Sequence, residues 1–135
     1  MNYLLDTHIA VWATSNHKKL TQSFIDELNN LNNKIYVSML SVWEIAIKNI
    51  KHGYEGMPMD EKEFVRLCEA MEFELLPIKA KHIFNIRNLK IKDEKNIHKD
   101  PFDKLLISQS ICENLALCTK DTKLIDYNVP NIMLL

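Results

Sequence analysis

Short apolar runs alternate along this chain with longer segments that have helical residue spacing. The runs expected to form strands are residues 3–5, 34–38, 73–76, 115–119 and 131–134. The segments between them that are rich in helix-forming residues are 21–32, 41–51, 60–71, 79–89 and 101–113. Strands separated by helices are typical of βαβ units with a parallel sheet. We therefore predict an α/β fold, a three-layer α/β/α sandwich around a central, mostly parallel five-stranded sheet.

The size and charge of the chain restrict its class further. A chain of 135 residues fits one domain, residues 1–135, that buries a core of its own. The formal net charge of -1 excludes a strongly basic nucleic-acid binder but leaves room for a local basic patch. The two glycines, Gly53 and Gly56, are expected in a surface loop between helices. Without a glycine-rich motif, nucleotide binding of the phosphate-loop kind is excluded.

Cysteine spacing and hydropathy indicate the compartment. Cys68, Cys112 and Cys118 are far apart and form no C-x-x-C pair, so neither a disulfide framework nor a zinc ribbon is expected. No stretch approaches the ~20 apolar residues of a membrane span, so we expect no membrane association. The first residues lack a basic region, and Asp6 interrupts their apolar run, unlike a signal peptide. A cytoplasmic protein with reduced thiols is predicted.

Acidic residues follow three of the predicted strands. Asp6, Glu44 and Asp121 come after the first, second and fourth strands, and ligands of open α/β sheets bind beyond these carboxyl ends. Each acid also has a purely structural explanation. Asp6 and Asp121 could cap the helices that follow them, and Ser41 with Glu44 matches an S-x-x-E capping box. Three independent acidic caps at one edge are a weaker explanation than a shared site.

A further pair of acids surrounds Pro101 and Phe102. Proline is favoured at the first position of a helix, so Asp100 is expected to be the N-cap. Asp103 then occupies the third helical position, where a capping box prefers Glu or Gln. The apolar residues that follow predict a helix packed on the sheet. Asp103 would therefore face the same edge as the other acids.

Converging carboxylates repel one another and are stable together only around a cation. Oxygen ligands without His or Cys suit Mg²⁺ or Mn²⁺. Such an ion can lower the pKa of a bound water and stabilise the attacking and leaving oxygens of a phosphodiester. The pattern predicts metal-dependent phosphodiester hydrolysis, with one or two ions.

Four segments resemble the acidic motifs of PIN domains, in order and over nearly the whole chain. They are MNYLLDTHIAVW, VSMLSVWEIAIK, HKDPFDKLLISQS and LALCTKDTKLIDY. The first and third are similar to VapC-type toxins of bacterial toxin–antitoxin pairs.

The resemblance implies a single PIN domain and a Mg²⁺- or Mn²⁺-dependent endoribonuclease. It also implies inhibition by a cognate antitoxin protein, and a homodimer. The metal-binding and catalytic acids of the family fall on Asp6, Glu44, Asp103 and Asp121. Asp100 matches the VapC signature and is assigned as a cap or as a supporting residue of the site.

Other residues near the motifs have weaker assignments. Thr7 and Ser41 could position a carboxylate or a metal-bound water, or could simply cap helices. His98, Lys99 and Lys104 are candidates for contacts to RNA phosphates, against the alternative that residues 90–99 form a solvated loop. Two tryptophans, at positions 12 and 43, are expected to pack in the core or at a subunit contact rather than stack on bases.

Two other classes of function remain open. The first is a non-catalytic PIN-like module that binds RNA or a protein, whose sequence signature would be the loss of one of the acids. The second is a phosphatase or phosphotransferase with Asp6 as nucleophile. That chemistry usually shows D-x-D after the first strand, and the residues here are Asp6-Thr7-His8.

Overall fold

The structure, a computed structural model, describes residues 1–90, 100–122, 124, 127 and 132–134. Its strands are β1 (Asn2–Leu5), β2 (Lys34–Ser38), β3 (Glu74–Leu76), β4 (Ala116–Thr119) and β5 (Ile132–Leu134). Its α-helices are α1 (Thr7–Ser15), α2 (Gln22–Asn29), α3 (Met39–Gly56), α4 (Glu61–Ala70), α5 (Ala80–Phe84) and α6 (Pro101–Cys112). Short 3-10 helices cover His17–Lys19 and Asn85–Asn88. None of the helices in the described part is long and apolar enough to cross a membrane.

The five strands form one sheet in the order β3-β2-β1-β4-β5, and all four pairings are parallel. The chain builds outward from β1 to β3, then returns to place β4 on the other side of β1. The connections therefore change direction between β1 and β4, which is where open α/β sheets bind their ligands. The predicted five-stranded parallel sheet is confirmed.

Helices cover both faces of this sheet, as predicted for an α/β/α sandwich. Successive side chains of β1 point to opposite faces: Tyr3 and Leu5 join one apolar cluster, and Leu4 joins the other. The first cluster packs mainly on α1, α2 and α4, and the second on α6 and the start of α3. Because β1 is buried on both faces, it is an almost continuous apolar run in the sequence.

The start of α3 differs from the prediction. Ser38, the last residue of β2, is the N-cap, and its Oγ accepts a hydrogen bond of 3.0 Å from the Leu40 N–H. The predicted capping box of Ser41 and Glu44 is therefore wrong. Ser41 lies within the first turn, is buried, and has a hydroxyl that contacts the Thr7 hydroxyl at 2.9 Å. The helix begins earlier because the strand passes into it without an intervening loop.

The end of α3 also differs. Gly53 and Gly56 were predicted in a surface loop, but helical structure continues to Gly56 with a break at Gly53. The φ of 63° and ψ of -157° at Gly53 belong to a region that is essentially restricted to glycine. Two other predicted helices are shorter than expected: α2 ends at Asn29, and α5 gives way to a 3-10 helix after Phe84.

Candidate active site

A cleft of about 150 Å³ opens beyond the carboxyl ends of the central strands. The N–H of Asp6, which follows β1, donates to the carbonyl of Cys118 in β4 at 3.0 Å, so these two strand ends are held side by side. The residues that line the cleft are Asp6, Thr7, His8, Leu40, Glu44, Lys48, Asp100, Phe102, Asp103, Leu106 and Asp121. The structure thus brings together the four acids selected from the sequence, along with Asp100.

Asp6 is both a helix cap and a wall of the cleft. Its Oδ1 accepts a hydrogen bond of 2.9 Å from the Ile9 N–H at the start of α1. Its Oδ2 accepts a hydrogen bond from the hydroxyl of Thr119, at the end of β4. Burial raises the pKa of Asp6, and the negative charge of Glu44 adds to this, while the bonds from Thr119 and Ile9 oppose it. A cation in the cleft would favour the ionised form.

Glu44 enters the cleft from the second turn of α3. Its Oε1 accepts a hydrogen bond of 2.7 Å from the Thr7 hydroxyl, and its Oε2 lies 3.0 Å from Nζ of Lys48. The Thr7 hydroxyl has one proton, which it donates to Glu44, so the Ser41 hydroxyl is the donor in the contact with Thr7. Thr7 and Ser41 therefore support a carboxylate and do not cap helices.

The two acids around Pro101 have different positions in α6. Asp100 is the N-cap, and its Oδ1 accepts a hydrogen bond of 2.9 Å from the Phe102 N–H. Asp103 is the third helical residue and lines the cleft, as its position in the sequence predicted. Burial raises the pKa of Tyr127, and the charges of Asp103 and Asp100 raise it further. The phenol therefore stays neutral beside the acids.

Thr119 connects the acids of β1 and β4 and was missed by the sequence analysis. It is fully buried, donates its hydroxyl proton to Asp6, and accepts a hydrogen bond of 3.0 Å from the Asp121 N–H. One hydroxyl thus orients a carboxylate and fixes the turn that carries Asp121 into the cleft. The available signal was a threonine two residues before an acid at a strand end.

Lys48 was missed as well, and the predicted basic residues lie elsewhere. Lys48 is the one lysine or arginine among the described residues that line the cleft. Its signal was the i,i+4 spacing from Glu44 on one helix. Lys104 is half-buried on α6 but does not line the cleft. The predicted RNA contacts His98 and Lys99 lie outside the described residues.

The two tryptophans differ in burial: Trp12 packs against the core as expected, and Trp43 does not. Trp43 is 57% exposed, and its ring lies 5.1 Å from that of Phe102, between centroids. Trp12 is partly buried against the core, and Nζ of Lys120 lies 4.9 Å from the centre of its ring. The prediction of core packing is therefore wrong for Trp43, while a subunit contact for it stays a prediction.

The donor set of the cleft suits a hard divalent ion. Within the described residues, no three His, Cys, Asp or Glu side chains are close enough to form a ready-made metal site. Mg²⁺ does not require such a cage, because it keeps several waters and commonly binds through one or two carboxylates and substrate phosphates. The carboxylate oxygens present here therefore fit a hydrated Mg²⁺ or Mn²⁺ better than a zinc ion, which is bound most often by Cys and His.

The fold and the cleft define a class of protein: a parallel α/β/α sandwich with carboxylates gathered where its strand order reverses. A family model described as PIN domain matches residues 3–129. The chain belongs to the PIN domain family. It has no significant sequence match among functionally curated proteins.

Several solved structures with the same fold come from toxin–antitoxin complexes. A chain of VapBC2 from Rickettsia felis, bound to a DNA fragment from their promoter, is 24% identical, with a TM-score of 0.69 over 100% of this chain and 98% of that chain. A chain of DNA-bound VapBC from Salmonella typhimurium is 15% identical, with a TM-score of 0.67 over 100% and 97%. A chain of a toxin–antitoxin complex from Klebsiella pneumoniae is 18% identical, with a TM-score of 0.62 over 97% and 95%. At these identities the likeness shows the fold.

Proposed function

We propose that this PIN domain is a divalent-metal-dependent endoribonuclease and acts as the VapC-type toxin of a type II toxin–antitoxin system. The observation that carries the proposal is the convergence of Asp6, Glu44, Asp103 and Asp121 on one cleft. These residues come from four separate segments of the chain, and capping alone does not require them to meet. Membership of the PIN family and the toxin–antitoxin neighbours support the same function.

The four acids are proposed to hold Mg²⁺ or Mn²⁺, directly or through waters. Bound there, such an ion supplies a water of lowered pKa and stabilises charge that develops on the phosphate. Hydrolysis forms one bond from the water oxygen to phosphorus and breaks one phosphorus–oxygen ester bond. The protein's own contribution is orientation: Thr119 fixes the carboxylate of Asp6, and Thr7 fixes that of Glu44. Fixed oxygen ligands cost no reorganisation during the reaction.

A cognate antitoxin protein and a second copy of the chain are the proposed protein partners, and RNA is the proposed substrate. Several solved neighbours are themselves complexes named VapBC or toxin–antitoxin. Exposed apolar side chains form one stripe along α3, at the spacing of one helix face. They are Met39, Trp43, Ile47 and Ile50, all before the break at Gly53. We propose that the homodimer covers this stripe, and that the protein, with its three free cysteines, acts in the cytoplasm.

Cleavage of RNA in defined metal conditions tests the proposal. Purified protein is incubated with structured and single-stranded RNA in Mg²⁺, Mn²⁺ or EDTA, next to Asp6→Asn and Asp103→Asn. The matched control is Asp100→Asn, because Asn is as good an N-cap as Asp. We expect metal-dependent cleavage that falls at least about 100-fold in the first two variants, as for loss of a key electrostatic group, and far less in the control.

Two results would contradict this function. Cleavage that persists in EDTA, or in both Asp6→Asn and Asp103→Asn, would exclude the metal–carboxylate mechanism. RNA binding without cleavage in any metal would favour the non-catalytic binding module instead. Folding of each variant is checked by thermal unfolding, so that lost activity is not confused with lost structure.

A further inference from the structure

Lys48 occupies an unusual position for a basic residue in this protein, because it faces the acids of the cleft. It lies one turn after Glu44 on α3, with Nζ 3.0 Å from Glu44 Oε2. We propose that Lys48 is the phosphate-binding residue of the cleft. Its ammonium neutralises Glu44 in the metal-free protein, and passes to a non-bridging oxygen of the RNA phosphate when a divalent cation occupies the acids. This inference rests on the proposed ribonuclease function and adds a substrate contact to it.

The charge of the cleft is the first argument. Five carboxylates line it, and Lys48 is the one lysine or arginine among the described residues that do so. An RNA phosphate is negative and is repelled by the negative charge of a cleft lined with carboxylates. A divalent ion offsets part of that repulsion. A cation of the polypeptide inside the cleft offsets more of it, and Lys48 has that position.

Lys48 can also leave its partner Glu44. The Lys48 side chain is 35% exposed and the Glu44 side chain 20%, and ion pairs of this i,i+4 kind are weak. Lysine is a compact charge on a flexible stem, so its ammonium can move without any change in the backbone. Glu44 would keep its hydrogen bond from the Thr7 hydroxyl after the exchange. The bond from Thr7 would therefore keep the Glu44 carboxylate oriented when a divalent ion is bound, directly or through water.

This exchange predicts opposite effects on the two ligands. Removal of the Lys48 charge should strengthen divalent-ion binding, because a cation next to the metal site is lost. The same change should weaken RNA binding, because a phosphate contact is lost. A lysine that only braced α3 through Glu44 would not lower the affinity for RNA while raising the affinity for metal. Opposite changes in the affinities for the metal ion and for RNA therefore distinguish a substrate contact from a structural role.

The experiment compares Lys48→Met, Lys48→Arg and Lys51→Met. Lys51 is exposed on the same helix and does not line the cleft. Lys51→Met therefore removes the same charge from a position outside the cleft. Mn²⁺ affinity is measured from the EPR signal of free Mn²⁺, without RNA. Binding of a labelled, mixed-sequence single-stranded RNA is measured by anisotropy in Ca²⁺ over a range of salt. A contact to the phosphate backbone of RNA does not depend on the RNA sequence, so the natural target RNA is not needed.

We expect Lys48→Met to bind Mn²⁺ about three- to tenfold more tightly than the wild type. Its RNA affinity should fall about fivefold at ~0.1 M salt. The plot of log K against log salt concentration should become less steep by about 0.7, the value for one phosphate contact on single-stranded RNA. Lys48→Arg keeps the charge and should retain most RNA affinity. Thermal unfolding of each variant verifies that the fold is intact.

Two outcomes would overturn the assignment of Lys48. One is RNA affinity and salt slope in Lys48→Met that equal those of Lys51→Met. The other is weaker Mn²⁺ binding in Lys48→Met, which would show that the lysine supports the metal site. Failure of the ribonuclease proposal is a separate observation, absence of cleavage by the wild type in every metal, and does not depend on comparing these variants.

Discussion

The hydroxyl of Thr119 is the most informative single group to remove. It is fully buried, donates to the carboxylate of Asp6 and accepts from the N–H of Asp121. Thr119→Val keeps the shape of the side chain and deletes both hydrogen bonds. Thr119→Ser is the matched control, because it keeps the hydroxyl and deletes only a methyl group.

The expected cost of Thr119→Val follows from these two bonds. A hydrogen bond to a charged group contributes about 1.5–3 kcal/mol, and a neutral one about 0.5–1.5 kcal/mol. The loss of both lowers the free energy of unfolding by about 2–4 kcal/mol, which corresponds to a fall in Tm of roughly 10 °C for a domain of this size. Thr119→Ser should cost about 1 kcal/mol, the value of one buried methyl group.

The cost of Thr119→Val should also depend on pH. Burial raises the pKa of Asp6 above its usual 3.8, and the hydroxyl of Thr119 acts against that rise by binding the ionised form. Below 3.8 the carboxyl is protonated in the folded and the unfolded chain, so this preference contributes nothing. As the pH rises through the pKa of Asp6 in the folded chain, its carboxyl group becomes ionised and the hydrogen bond from Thr119 stabilises it. The difference from wild type should therefore be larger at pH 7 than at pH 4.

Urea unfolding in EDTA at several pH values, together with RNA cleavage in Mg²⁺, measures these effects. We expect Thr119→Val to lose most of its cleavage under conditions where it is still folded, and Thr119→Ser to keep most of it. The reasoning is refuted if Thr119→Val is as stable as Thr119→Ser at pH 7, or if the two cleave RNA at the same rate.

Three further predictions concern other parts of the fold. Ile50→Glu should convert the proposed homodimer to a monomer in light scattering, because Ile50 is 82% exposed on the apolar stripe of α3; a monomeric wild type would contradict this. Hydrogen bonds from Lys81, and then His82, hold the pKa of Glu113 below 4.5. Glu113→Gln should therefore lower the free energy of unfolding by about 1 kcal/mol at pH 7, and this difference should vanish as the pH falls through the lowered pKa. A difference of the same size at pH 3 would argue against the ion pair. Gly53→Ala should lower the free energy of unfolding in urea by about 1–3 kcal/mol. The loss should come from backbone strain alone, because no neighbouring atom lies within 4 Å of the added Cβ. An unchanged free energy of unfolding would contradict this explanation.

The convergence of Asp6 and Asp121 could be predicted because it depends on the topology of the sheet. Parallel strands bring their carboxyl ends to one edge, so acids that directly follow strands meet whatever the loops do. Asp6 shows that a cap and a site residue need not be alternatives: one oxygen caps α1 and the other faces Thr119. Asp100 and Asp103 were separated correctly because proline fixes the first position of α6.

The supporting residues could not be predicted in the same way, because their roles depend on contacts between distant elements. Thr119 acts on Asp6, 113 positions away in the chain, and nothing local marks that pairing. Ser41 satisfied a local capping pattern, yet β2 runs directly into α3 and Ser38 takes the cap. For Trp43, the apolar pattern of α3 did not distinguish a face packed on the core from a face left exposed.

The direct passage from β2 into α3 makes the length of this junction critical for the cleft. Ser38 is both the last residue of the strand and the cap of the helix, and Glu44 lies six residues later. One extra residue between Ser38 and Met39 would turn every later side chain by about 100° around the helix axis. Glu44 and Lys48 would then leave the cleft together, although each residue type would be unchanged. Insertions should be far better tolerated at Leu31 and Asn32, which lie in an exposed turn on the other side of β2.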